Sequence, residues 1–148
     1  MNQSTNSLAL QLGTALSQCG AKVTAAESCT GGGVAHAITA IAGSSAWFDC
    51  GFVTYANSAK HALLGVPQEV LANQGAVSES VVRYMAEGAA RVANADYAVA
   101  ISGIAGPGGG SDDKPVGTVW FAWRSPLGVS AKKYQLSGDR TAVREQAI

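Results

Sequence analysis

The chain has 148 residues, 47% hydrophobic and 14% charged, and its ten basic residues balance ten acidic ones to a formal net charge of zero. That length holds one domain with one core, and a neutral chain lacks the basic footprint with which nucleic-acid binders meet phosphate. Cys19, Cys29 and Cys50 are odd in number and lack Cys-x-x-Cys spacing, which argues against a disulfide framework or a zinc site and for a reduced, cytoplasmic setting.

The polar N-terminus carries no basic n-region, and no apolar run reaches the roughly 18 residues of a membrane span. From Ser7, the residues Leu8, Ala9, Leu10, Leu12, Ala15 and Leu16 predict an amphipathic helix ended by Gly20 in a left-handed cap. Residues 22–26 read as a buried strand, and residues 32–41 as a helix whose small side chains let it lie close to the sheet. Gly43-Ser44-Ser45 interrupts the pattern, and residues 47–55, rich in aromatic and β-branched side chains, predict a second strand.

Asn57-Ser58 caps a short helix that carries Lys60 and stops at Gly65, and Pro67 opens another to Asn73. Ser78 starts a long helix to about Ala93, with Val81, Val82, Met85, Ala89 and Val92 facing inward and Asp96 closing it. Residues 97–101 are apolar enough for a central strand covered on both faces, and a glycine-rich loop, 102–111, follows. Residues 116–123 and 129–136, joined by Ser125-Pro126-Leu127-Gly128, predict an antiparallel hairpin.

A last helix begins at Asp139 and stops in mid-pattern at Ile148. The expectation is therefore one domain over 1–148 whose final helix is cut short, with the native chain continuing. Alternating helices and strands before a hairpin predict a three-layer α/β/α sandwich with a mixed sheet. Ligands bind such sheets beyond the strand ends, so the loops after Ala26 and Ile101 converge on one pocket if their strands are neighbours.

Within Ala25-Ala26-Glu27-Ser28-Cys29-Thr30-Gly31-Gly32-Gly33 a strand ends, a polar hinge follows and a helix begins. Ser28 reads either as a helix N-cap or as a nucleophile whose oxyanion is held by the N–H groups of Cys29 to Gly31. A serine hydroxyl needs a base. His36 and His61 read as surface or structural residues, whereas Lys60, if shielded from water, can lose its charge and accept a proton; a lone lysine is ordinarily solvated.

Tyr55 either packs or orients the proton between lysine and serine. Cys29 is intrinsically the stronger nucleophile as a thiolate, yet neighbours on a turn point in different directions, and its default role is that of a small buried residue. Gly108-Gly109-Gly110 reads as a mobile loop or a phosphate cradle without the Walker ending. Asp112-Asp113-Lys114 looks like a solvated loop rather than a metal site.

Six blocks in order carry a resemblance: Ala26-Glu27-Ser28-Cys29-Thr30-Gly31-Gly32, Gly43-Ser44-Ser45, Gly51-Phe52-Val53-Thr54-Tyr55 with Lys60, Gly75-Ala76-Val77-Ser78, Gly103-Ile104-Ala105-Gly106-Pro107, and Lys114-Pro115-Val116-Gly117-Thr118-Val119. Over nearly its whole length the chain resembles the nicotinamide mononucleotide amidohydrolase family, the CinA C-terminal (PncC-type) domain. The resemblance implies a metal-independent Ser/Lys hydrolase without a cofactor, converting nicotinamide mononucleotide and water to nicotinate mononucleotide and ammonia in pyridine nucleotide salvage. It implies Ser28 as nucleophile, Lys60 as general base and Tyr55 as its partner.

By the same resemblance, Cys29, Thr30, Gly31, Ser102, Gly103 and Gly106 line the substrate, and Arg140 is the candidate for the 5′-phosphate. Ser102 stands where many relatives carry threonine, and Cys50 where they often carry glycine. A homodimer or higher oligomer is expected, from low charge and family likeness alike. Two rival readings are a non-catalytic nucleotide-sensing or protein-interaction domain, after the family's link with competence and DNA damage, and a metal-dependent phosphate-ester or pyrophosphate hydrolase, for which the sequence offers no ligand set.

Overall fold

Asn2 accepts the Thr5 N–H and starts the first helix at Gln3, ahead of the expected Ser7, while Gly20 ends it in the left-handed cap the sequence predicts. In the computed structural model, which describes residues 2–148, the order is α1 (Gln3–Cys19), β1 (Val23–Glu27), α2 (Gly33–Thr39), β2 (Phe52–Val53), α3 (Asn57–Leu64), α4 (Gln68–Gln74), α5 (Glu79–Ala93), β3 (Tyr97–Gly103), β4 (Thr118–Ser125), β5 (Gly128–Gln135) and α6 (Arg140–Ala147). The five strands form one sheet in the order β2-β1-β3-β4-β5. β1 pairs in parallel with β2 and β3, and β3-β4-β5 run antiparallel, so the sheet is mixed.

Strand alternation divides the core between two helix layers. Ala26, Ala98, Ala100 and Ala122 pack against Leu64, Leu71 and the inner face of α5. On the opposite face, Ile101 and Val119 meet Val143 and Ala147 of α6, and Val23 meets Leu16 and Ile38. The fold is the expected three-layer α/β/α sandwich. α5 sits close because Gly88 lies directly against the Leu64 backbone, where any Cβ would collide with the Leu64 carbonyl.

Four local expectations are corrected. Of residues 47–55 only Phe52–Val53 enter the ladder; Ser44–Ala46 forms a 3-10 turn, and Trp47 and Phe48 instead pack beside Leu16, Val23 and Ile38. Their hydrophobicity serves the α1–α2 layer, not a strand. Val92 is 53% exposed, because it lies beyond Ala89 and Ala90, the last residues of α5 that reach the core. α5 ends at Asn94, in a left-handed conformation, while the Asp96 carboxylate accepts the Lys22 N–H at 2.9 Å. Finally, α2 begins at Gly33 and ends at Thr39, shorter than predicted. Among the described residues, no helix is long and apolar enough to cross a membrane.

Candidate active site

β1 and β3 are parallel neighbours, with Glu27 opposite Ile101. The Ser28 N–H donates to the Ile101 carbonyl at 3.0 Å, extending the pairing one residue past the end of β1. Alternation along β1 then turns Ser28 toward the layer that holds α3. There the Lys60 side chain is only 1% exposed, and its Nζ lies 3.0 Å from Ser28 Oγ, 2.8 Å from the Thr54 carbonyl and 3.0 Å from the Tyr55 carbonyl. Among the described residues no carboxylate pairs with it, and burial lowers its pKa from the ordinary 10.5.

A neutral amine has two N–H donors and one lone pair. In the neutral amine the two carbonyls take both donors and the lone pair faces the Ser28 hydroxyl, whereas the ammonium donates to all three oxygens. The neutral form is the arrangement a general base requires.

The turn after Ser28 is held differently from a helix N-terminus. Gly31 donates to the Ser28 carbonyl at 3.1 Å, and Gly31 and Gly32 both take positive φ, of 59° and 101°; a Cβ is disfavoured there. The helix starts five residues after the serine, at Gly33, and Glu27 occupies its end. The Glu27 carboxylate accepts Thr30 Oγ1–H at 2.6 Å, Val34 N–H at 2.8 Å and Ala35 N–H at 3.0 Å. The anion-binding end of α2 is thus taken by the protein itself. Of the amides expected to form an oxyanion hole, Gly31 is committed to Ser28, while Cys29 and Thr30 donate to no protein acceptor among the described residues.

Cys29 is buried, and burial raises its thiol pKa to about 11 against the pull of its own backbone amide and of Arg144 and Lys60. It is therefore a neutral thiol near pH 7, a poor nucleophile beside Ser28.

A cavity of about 270 Å³ opens over Ser28 and is lined also by Cys29, Tyr55, Gly103, Gly106 and Arg140. The loops after β1 and β3 therefore meet in one pocket. The Arg140 guanidinium donates to the Gly106 carbonyl at 2.8 Å and to the Tyr55 hydroxyl at 3.2 Å, so the phenol points to Arg140, while the Tyr55 contact with Lys60 runs through its carbonyl.

Thr30 and Ser102 are buried outside this lining, and Gly31 is exposed on the outer side of the turn. His36 and His61 are exposed, and His61 Nδ1 is engaged with the Val66 carbonyl at 2.8 Å. Gly108 and Gly109 line the pocket rim, and Asp112 and Asp113 are exposed. Among the described residues, no three His, Cys, Asp or Glu side chains cluster as metal ligands. A larger apolar groove of about 520 Å³ lies against α1 and contains none of the predicted site residues.

Two residues at the site were missed from the sequence. Glu27 is a buried carboxylate that closes an apolar strand, and its place directly before the hinge was the available signal. Arg144 Nε donates to the Cys29 carbonyl at 3.0 Å, and its Nη2 lies 3.4 Å from the Thr30 carbonyl. It sits one helical turn after Arg140, so a face that aims Arg140 at the pocket also aims Arg144.

The CinA C-terminal domain profile matches residues 5–148. The nicotinamide-nucleotide amidohydrolase PncC of Escherichia coli (strain K12) is 62% identical over 141 residues, which cover 95% of this chain and 86% of that protein. The protein of the same name from Pseudomonas putida is 53% identical over 141 residues, covering 95% and 88%. The crystal structure of the competence/damage inducible protein CihA from Agrobacterium tumefaciens superposes with a TM-score of 0.95 at 46% identity, over 97% of this chain and 88% of that one.

Proposed function

The chain belongs to the CinA C-terminal domain family, and from that premise we propose that it is a nicotinamide-nucleotide amidohydrolase. It hydrolyses nicotinamide mononucleotide to nicotinate mononucleotide and ammonia by a Ser28/Lys60 acyl-enzyme route, in pyridine nucleotide salvage. The observation that carries this reading is the 3.0 Å approach of Lys60 Nζ to Ser28 Oγ in a buried setting, with no carboxylate paired to the lysine among the described residues.

Ser28 Oγ attacks the carboxamide carbon while neutral Lys60 takes its proton. The quaternary pyridinium withdraws electrons and makes that carbon more electrophilic. The resulting oxyanion is met by the unpaired amides that follow Ser28. Collapse breaks the C–N bond, and Lys60 returns its proton to the departing nitrogen as ammonia forms. Water then attacks the acyl-enzyme, giving Lys60 a proton that passes to Ser28 Oγ as the acid is released.

In this reading Cys29, Gly103 and Gly106 border the substrate, with Tyr55 and Arg140 at the mouth. Arg140 is the candidate for the 5′-phosphate because it is the cation that lines the pocket. Thr30 offers an N–H unpaired among the described residues, Gly31 shapes the turn, and Ser102 follows Ile101, the β3 residue whose carbonyl holds the Ser28 N–H. We further propose one catalytic domain over 1–148, working without metal or cofactor as a cytoplasmic homodimer or higher oligomer.

Ammonia release from nicotinamide mononucleotide by the purified chain tests the reading. Release that disappears in Ser28→Ala supports it. A chain that binds the nucleotide without releasing ammonia would instead be a sensing or interaction domain.

A further inference from the structure

We propose that Arg144 is a positioning residue for the oxyanion hole, acting through two hydrogen-bonded peptide relays that end at the free N–H groups of Thr30 and Cys29. The inference rests on the amidohydrolase reading.

Each peptide group couples its carbonyl to the N–H of the next residue, so a donor placed on the oxygen makes the N–H a stronger donor. In the shorter relay, Arg144 Nε donates to the Cys29 carbonyl at 3.0 Å; that carbonyl shares a peptide with the Thr30 N–H, which has no protein acceptor among the described residues. In the longer relay, Arg144 Nη2 reaches the Thr30 carbonyl at 3.4 Å. This carbonyl shares a peptide with the Gly31 N–H, which donates to the Ser28 carbonyl at 3.1 Å. The Ser28 carbonyl in turn shares a peptide with the unpaired Cys29 N–H, and Cys29 lines the pocket beside Ser28.

Both relays therefore start at one guanidinium and finish at the N–H of one of the two residues that follow the nucleophile, neither of which donates to another residue among those described. The cation is not neutralised locally, because among the described residues it has no carboxylate within ion-pairing distance. Its direction is fixed by its neighbour Val143 and by Ala147, both buried in the core. The planar fork spans two consecutive carbonyls, a geometry that arginine supplies and a lysine ammonium meets only in part. Arg140, one turn earlier, bonds instead to Gly106 and Tyr55, so the two arginines of α6 have separate tasks.

The test compares Arg144→Gln and Arg144→Lys with the unaltered chain in steady-state deamidation of nicotinamide mononucleotide, with thermal melting of each. A weakened oxyanion hole lowers kcat by about tenfold to a hundredfold in Arg144→Gln, while KM stays within about threefold because the ground-state carboxamide makes little use of it. Arg144→Lys recovers part of the loss, and added guanidinium ion raises the rate of Arg144→Gln but not of the unaltered chain. Unchanged kcat in a folded Arg144→Gln overturns the inference and leaves the amidohydrolase reading standing. So does failure of both variants to fold, which would make Arg144 a structural residue. An unaltered chain that releases no ammonia overturns both.

Discussion

Lys60 Nζ and Ser28 Oγ stand 3.0 Å apart, and the other two contacts of the amine are the Thr54 and Tyr55 carbonyls. Burial disfavours the charged form of this lysine, and the neutral amine can take the Ser28 proton. Ser28→Ala and Lys60→Met should each lower kcat by about a thousandfold or more, with the double variant losing little beyond either, since groups acting as a unit are non-additive. Lys60→Arg should be equally inactive because guanidinium does not give up its proton. Additive losses in single-turnover deamidation would refute the dyad.

The pH dependence has a defined sign. Burial lowers the Lys60 pKa from 10.5, so kcat/KM should climb with pH as the lysine deprotonates, with a midpoint below that value. Stability follows the same group. Between the depressed folded-state pKa and 10.5 the unfolded chain binds more protons, so unfolding free energy rises with pH; below that window the full cost of burying the cation is present. Lys60→Met should lack this rise. Urea titrations are best kept below pH 9, because Cys29, raised from 9.0 to about 11, loses its stabilising contribution as pH climbs through that interval.

Thiol chemistry should separate the three cysteines. Cys19 and Cys50 are exposed and Cys29 is buried, and a pKa of about 11 leaves roughly one thiolate in ten thousand at pH 7. Iodoacetamide should label Cys19 and Cys50 in the native protein without loss of deamidation, and Cys29 only after unfolding. Early labelling of Cys29, read by peptide mass, would contradict this.

Glu27→Ala should destabilise the chain by about 1–3 kcal/mol, because it leaves the buried Thr30 hydroxyl and the half-buried Val34 and Ala35 amides without their acceptor. Glu27→Gln, which keeps one acceptor oxygen, should lose less. Denaturant midpoints of the two variants give the comparison.

Gly88→Ala forces a methyl group onto the Leu64 carbonyl. Separating α3 from α5 should cost about 1–3 kcal/mol and, since α3 carries Lys60, should lower activity in the protein that remains folded. A melting temperature equal to that of the unaltered chain would show that the helices part without penalty.

The layered fold was legible because its signals are local: the left-handed cap at Gly20, the Ser78 cap of α5 and the apolar run of β3 are each written in a few adjacent residues. Ser28, Tyr55 and Lys60 were nameable for the same reason, each standing in a distinctive short block. What the sequence hid depends on partners far away. Trp47 looks like a strand residue until its ring is seen over Gly13 of α1. Glu27 looks like a polar strand end until the amides of α2 are found around it. Of the Cys29 to Gly31 amides named from the sequence, Gly31 turns out to be spent on the Ser28 carbonyl, and Glu27 takes the first amides of α2.

Arg144 reaches back 115 residues to the Cys29 carbonyl, and Arg140 reaches 85 residues to Tyr55. During synthesis the nucleophile and its base leave the ribosome long before either arginine. A nascent chain that has not yet made α6 lacks both of these cations. The pocket is therefore among the last parts of the fold to be completed, finished only when α6 docks.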